Sequence, residues 1–440
     1  MNLLYTTLIT LTLLTTIRCT KSYSHYKIIR CSKDFPLQRV DRDDYEIWSK
    51  NSKFIDLMVW KNQDFKECDL LIEDLDEAIK ESYPKNEDHL QELYLNILNS
   101  PSDIDDKNQI NFETFKMAPD LFFRNYRPLN VIDLWIRLLN NTFPELVTIE
   151  RIGRTHEGRP LEAIHISSNN PELNPERKTI VITGGIHSRE WVSISSVCYI
   201  MYQLLTRYGL KENEKLTRET NYLDSLDFLF IPVFNPDGYE YTWTTDRLWR
   251  KNRQLTPIEQ CQGIDIDHSF NFHWETGNTS PCNEDYSGIE PMEAMEAYSL
   301  NQYLITKKKD YKVYGYIDFH SYSQEILYPY AYSCDSLPRD FENLLELSYG
   351  ISRAIHLTTK KKYNVVAACE DRGSDILPGM GSGSALDFMY HNRAFWAFQI
   401  KLRDNGNYGF LLPAKFIESV GKDAYAAVKY FCEFILNPDL

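Results

Sequence analysis

Two short stretches carry the residue types that hold a catalytic metal. His187-Ser188-Arg189-Glu190 follows directly on the apolar run KTIVITGG, and His320-Ser321-Tyr322 follows on YGYIDF. Two imidazoles and a carboxylate are the ligand set of a catalytic zinc, which keeps its fourth position open for water. Either stretch alone says little, because a lone histidine is more often a hydrogen-bonded core or surface residue. Placing both at the ends of strand-like runs changes the weight, and Gly184 and Gly185 allow a tight exit from the first of them. His187, Glu190 and His320 are therefore the candidate ligands of one zinc ion per chain.

The elements that must position these residues alternate. Strand-like runs (VTIERIG, LEAIHIS, KTIVITGG, DFLFIPVF, VYGYIDFH, WAFQIKL) are interleaved with helical patterns such as WVSISSVCYIMYQLL and ENLLELSYGISRAI. Such alternation predicts an α/β fold with a mixed, mostly parallel central sheet and helices on both faces. In open sheets of this kind, sites form beyond the carboxyl ends of the strands. Before it, KIIRC and FIDLMVW flank the acidic, helix-like IEDLDEAIKE and predict a small α+β unit. The expected division is a signal peptide over residues 1–20, a small unit over 21–105, a linker over 106–118 and the large unit over 119–440. The polar, Pro-containing stretch from Asn99 to Asn111 motivates the linker.

Composition narrows the function classes. The 440 residues carry a net charge of -15, which argues against nucleic acid or an anionic membrane as partner, since phosphate binding needs a basic face. The apolar stretch at the N-terminus is too short for a bilayer crossing and no second long one follows, so no membrane span is expected and a secreted or vacuolar location is. Of nine cysteines, Cys19 leaves with the signal. Cys198 and Cys432 sit in apolar helical patterns and read as buried free thiols. Cys261 with Cys282, and Cys334 with Cys369, bracket polar loops and are the bridge candidates. Asn140 and Asn278 open glycosylation sequons.

The stretches GGIHSREW, IPVFNPDGYEYTW, DRLWRKNR, FHSYSQEILYPYAYS and KLRDNGNYGFLLP are similar, in this order, to the A/B-type zinc carboxypeptidases. The likeness runs from about Phe122 to Leu436. It implies that the small unit is a pro-domain, that Cys261 and Cys282 form the family's disulfide, and that His187, Glu190 and His320 bind zinc. It also implies that Arg250 polarises the scissile carbonyl and that Arg189, Ser321 and Tyr322 occupy substrate subsites.

Three positions depart from that family. Where active members carry the glutamate that moves protons between water and leaving amine, this chain has Lys401; loss of positioned acid/base catalysis costs about 10²- to 10⁴-fold in rate. At about 6 Å and an effective dielectric of about 20, an ammonium and a divalent cation repel by roughly 5 kcal/mol, which pushes Lys401 towards neutrality unless Asp267 or another acid pairs with it. Where active members grip the terminal carboxylate with Asn-Arg, this chain has Asp267-His268. A neutral imidazole beside a repelling carboxylate forfeits a charge-assisted contact of about 1.5 to 3 kcal/mol. The loop that carries the family's mobile tyrosine is two residues longer here, with Leu377 nearest its place, and Asp387 at the back of the pocket reads as structural.

Zinc ligands retained and chemistry positions lost resemble an inactive fungal branch of the family, secreted or vacuolar and associated with cell-wall organisation. The leading expectation is a zinc-binding pseudoenzyme that acts by binding, with a peptide or protein as the candidate ligand, or serves a structural role on the secretory route. Its rival is an active metallocarboxypeptidase of altered C-terminal specificity, with a neutral Lys401 or Asp267 as base. A third reading has Lys401 or Asp267 complete the zinc shell in a merely structural site.

Overall fold

The computed structural model describes residues 21–437 except 38–39, 42–43, 52, 85–88, 100–118, 169–176, 209–210, 213–214, 217–221, 277–279 and 373–380. The expected signal peptide, the linker, Asn278 and Leu377 lie outside the described residues.

The first unit is a four-stranded sheet in the order β2-β3-β1-β4, built from β1 (Tyr26–Ser32), β2 (Tyr45–Lys50), β3 (Phe54–Trp60) and β4 (Asp69–Ile72). Its strands pair antiparallel, and the helices Leu75–Ser82 and Leu90–Asn99 follow it. Alternation along β1 and β3 gives the sheet two apolar faces. One holds Ile29, Cys31, Ile55, Leu57 and Val59. The other joins Tyr23, Ile28, Trp48, Met58, Ile72, Leu75 and Ile79 to Leu248, Tyr322, Phe410 and Leu411 of the second unit, so the two units share a core.

The second unit is an eight-stranded sheet in the order β13-β12-β14-β11-β7-β10-β6-β5. Its strands are β5 (Val147–Arg154), β6 (Pro160–Ile166), β7 (Lys178–Gly184), β10 (Leu226–Ile231), β11 (Lys312–Ser321), β12 (Glu325–Tyr328), β13 (Asn364–Ala367) and β14 (Trp396–Leu402). The intervening β8 (Lys211–Glu212) and β9 (Lys215–Leu216) form a separate hairpin. The centre, β14-β11-β7-β10, is parallel, whereas β10–β6, β6–β5 and β14–β12 pair antiparallel. The expected mixed, mostly parallel sheet is what forms. Thr179 to Gly184 of β7 and all of β10 are buried, as a strand covered on both faces requires.

Helix Ile417–Leu436 packs between Trp191–Arg207 and Phe341–Thr359 through an apolar stripe that includes Val420, Ala424, Val428, Phe431 and Ile435. At Gly315 an added Cβ would lie 2.5 Å from the Phe431 ring, so glycine there lets the helix seat on β11. The expected Cys261–Cys282 and Cys334–Cys369 disulfides form, and Cys198 and Cys432 are buried free thiols. A third bridge, Cys31–Cys68, was not anticipated and clasps β1 to the turn before β4. Among the described residues no helix is long and apolar enough to cross a membrane.

Candidate metal centre and its surroundings

β7 ends at Gly184, and Gly185 takes φ 69° with its would-be Cβ 2.7 Å from Ile194, a turn that only glycine makes without strain. The chain then passes through His187 to Glu190, where helix Trp191–Arg207 starts. Ser188 fastens this exit to the neighbouring loop, its N–H donating to Arg250 O at 3.1 Å. Asn235 fastens it from the other side, donating to Ile186 O at 3.2 Å and Lys251 O at 3.0 Å. His320 arrives from the adjacent parallel strand β11.

These elements bring the three expected ligands together. Glu190 Oε1 lies 2.9 Å from His187 Nδ1, Glu190 Oε2 lies 3.0 Å from His320 Nδ1, and the two Nδ1 atoms are 3.1 Å apart. Each histidine turns its other nitrogen to a carboxylate: His187 Nε2 is 3.2 Å from Asp265, and His320 Nε2 is 2.9 Å from Asp318. With the Nε2–H of His320 donated to Asp318 and His187 Nε2 turned towards Asp265, both Nδ1 atoms and the Glu190 carboxylate face one point. That donor set fits a divalent cation. A tetrahedral zinc with bonds of about 2.0 to 2.1 Å spaces its ligand atoms about 3.3 Å apart, close to the separations found. In the metal-free chain burial opposes the Glu190 charge, but His187 and His320 hold its carboxyl well below the usual range. Burial likewise opposes a charged His320, yet Asp318 and Glu190 raise it to about 10. Among the described residues this is the one group of three or more such side chains within ligand distance.

The residues expected at substrate subsites are tied into the surrounding structure. Arg250 gives Asp265 Oδ2 two hydrogen bonds of 3.1 and 2.7 Å, so Asp265 links Arg250 to His187. Arg189 contacts Glu284 at 3.1 Å and lies 4.3 Å from the Phe410 ring centroid. Ser321 donates its backbone N–H to Glu190 at 3.0 Å. Tyr322 donates its hydroxyl to Asp56 of the first unit, and the same carboxylate takes two 2.7 Å bonds from Arg30. Asp387 accepts from Ala331 N and Tyr332 N at 2.8 to 3.0 Å, a backbone clasp in keeping with its structural reading. Asn140 is half-buried on the helix Leu129–Thr142.

The acid that meets Lys401 is Asp371, whose oxygens lie 2.6 and 2.7 Å from the amine. One expectation needs correction: Asp267 is not an uncompensated repelling charge, because its Oδ2 accepts from Arg372 and its Oδ1 accepts from Ala385 N at 2.9 Å. Burial works against that charge, but Arg372 first, then His320 and His187, bring Asp267 down to about 2. His268 accepts from Arg372 Nη1 at 3.2 Å through Nε2 and donates through Nδ1 to Ser382 O at 3.1 Å, and burial lowers its pKa, so it is the neutral imidazole expected.

Asp371 and Arg372 reach the site because β13 pairs with β12, β12 with β14, and the helix Ala368–Arg372 follows β13 directly, pinned by Cys334–Cys369. Glu325 on β12 is the register partner of Lys401, as His320 is on β11. It is 1% exposed, and burial first, then the neighbouring Asp371, raises it to about 8. Sequence reasoning missed Asp265, Asp318, Asp371, Arg372 and Glu325. Only Asp318 carried a local signal, since it stands two residues before His320 on one strand and so on the same face.

A mixed α/β sheet that delivers His, Glu and His from strand ends, with an aspartate beside each imidazole, defines an α/β protein with a candidate single-metal centre. The zinc carboxypeptidase (Peptidase_M14) family model matches residues 132–427, and the chain belongs to that family. It is 53% identical to Inactive metallocarboxypeptidase ECM14 of Saccharomyces cerevisiae over 96% of this chain and 94% of that one. It is 40% identical to Inactive metallocarboxypeptidase ecm14 of Sclerotinia sclerotiorum over 83% of this chain, spanning 63% of that longer relative. The crystal structure of thrombin activatable fibrinolysis inhibitor superposes with a TM-score of 0.76 at 26% identity, covering 94% of this chain and all of that one. Carboxypeptidase A from Helicoverpa armigera shares the fold, with a TM-score of 0.72 at 22% identity over 93% and 97% of the two chains.

Proposed function

We propose that this chain is a zinc-binding pseudoenzyme of the carboxypeptidase family that holds a peptide or protein without cleaving it. His187, Glu190 and His320 hold one zinc ion, and residues 21–105, 106–118 and 119–440 are pro-domain, linker and carboxypeptidase-like domain. Arg189, Arg250, Ser321 and Tyr322 line the place where a chain end would lie. Zinc, when bound, supplies a Lewis acid that polarises a carbonyl. What this chain lacks is a group to take and return a proton. The carrying observation is the pairing of the Lys401 amine with Asp371, at the residue where the resemblance expects the family's proton-transferring glutamate. Asp267 is no substitute base, because Arg372 and Ala385 N occupy it. The printed names of the relatives, inactive metallocarboxypeptidases, support the same reading.

Passage through the secretory route to the vacuole or the exterior is supported by three disulfides, which persist in oxidising compartments. A role in cell-wall organisation and biogenesis rests on the resemblance to the inactive fungal branch. The test is the purified, zinc-loaded protein against peptides with acidic, basic, apolar and amidated ends. One zinc per chain and no released residue are expected, with zinc lost in His187→Ala. Release of a C-terminal residue that a chelator abolishes would overturn the proposal in favour of an active enzyme of altered specificity.

A further inference from the structure

Arg372 is a guanidinium at 12% side-chain exposure, and its partner is a carboxylate of the same chain. The Asp267 carboxyl accepts from Arg372 Nη2 on one oxygen and from Ala385 N on the other. The neutral His268 takes Arg372 Nη1 at 3.2 Å and is itself held by Ser382 O. Guanidinium, carboxylate and imidazole therefore form a closed group in which every charge has its match. Asp267 sits on the turn Ile266–His268, whose cap Asp265 touches both His187 and Arg250. The group thus adjoins the metal centre.

We infer that Arg372 is a carboxylate-binding residue that Asp267 keeps occupied, so that the chain fills its own anion site with an internal stand-in for a ligand carboxylate. The inference rests on the binding-without-cleavage reading and adds the means by which the cleft declines a free carboxylate. An entering carboxylate would have to displace Asp267, and Asp267 would then be buried without its cation, which is strongly unfavourable. Asp267→Gly removes that obstacle, because it takes away the carboxyl itself and leaves Arg372 Nη2 and Ala385 N, its two donors, facing the volume it filled.

The probe is acetate, small enough to reach a side chain of this exposure, with acetamide as the neutral control. Thermal unfolding of the full-length, zinc-loaded protein is followed against acetate at constant ionic strength, and a ligand that binds only the folded state raises the midpoint. Unsubstituted protein is expected to show no acetate dependence. D267G is expected to bind acetate about 10- to 100-fold more tightly, the ratio for one charge-assisted contact. Adding R372M should abolish that gain, and acetamide should be inert throughout. Should D267G fail to fold, Asp267→Ala, which also lacks the carboxyl, carries the same expectation. An acetate response in the unsubstituted protein, none in either variant, or one that survives R372M would overturn the inference. Peptide turnover by the unsubstituted protein would instead refute the pseudoenzyme reading, so the two failures are distinguishable.

Discussion

Glu325→Gln is expected to stabilise this protein at neutral pH and to do nothing in acid. Glu325 is buried against the Lys401–Asp371 pair, and burial and the Asp371 carboxylate push it up to about 8 from the ordinary 4.5. A carboxyl raised in this way is at ease in the folded chain below about 4.5, and that ease is lost as the pH rises through about 8, because the unfolded chain ionises first. At pH 7 the unfolded state has released the proton and the folded state has largely kept it, a handicap of about 3 kcal/mol from 1.36 kcal/mol for each of the intervening pH units. Glutamine has the same shape and no proton to lose. The gain in unfolding free energy over the parent, from urea titration, should be near zero at about pH 4, about 3 kcal/mol at pH 7 and about 5 kcal/mol above pH 8. A gain that does not change with pH, or a loss at pH 7, would refute the argument that this carboxyl is kept protonated by its surroundings.

Lys401→Met strands Asp371 beside Glu325 and should cost about 3 to 5 kcal/mol in urea unfolding, the penalty for removing one partner of a buried pair. Lys401→Glu alone should yield no peptide hydrolysis in a C-terminal residue-release assay, because the new carboxyl would share its site with Asp371 and Glu325. Asp318→Asn should weaken zinc binding about 10- to 100-fold in a competitive chelator titration by removing the carboxylate that fixes His320. Asp56→Asn removes the acceptor shared by Tyr322 and Arg30 and should lower hydrogen-exchange protection of β1 and β3, at about 1.5 to 3 kcal/mol.

What the sequence discloses about the site is what is local in the chain. His187 and Glu190 lie in one strand exit behind two glycines, and His320 closes an apolar strand, so pattern and ligand chemistry place them without a fold. The alternating runs disclose the sheet in the same way, since strand burial is written in every residue of KTIVITG and LDFLFI. The charge partners are not written locally. Asp371 and Arg372 stand about thirty residues before Lys401, and only the β14-β12-β13 pairing carries them back to it. Lacking them, sequence reasoning could not name Asp371 as the acid that meets Lys401 and left Asp267 with no cation. Cys31–Cys68 was hidden for the same reason, because nothing near either cysteine states that β1 and β4 are neighbours.

The core that the first unit shares with Leu248, Tyr322, Phe410 and Leu411 bears on proteolytic handling of the protein. A single cut in the chain between Asn99 and Pro119 would leave two fragments still glued by that oily seam and by the Tyr322–Asp56–Arg30 clasp. Such a nicked molecule should migrate as one particle on a sizing column while running as two bands in detergent.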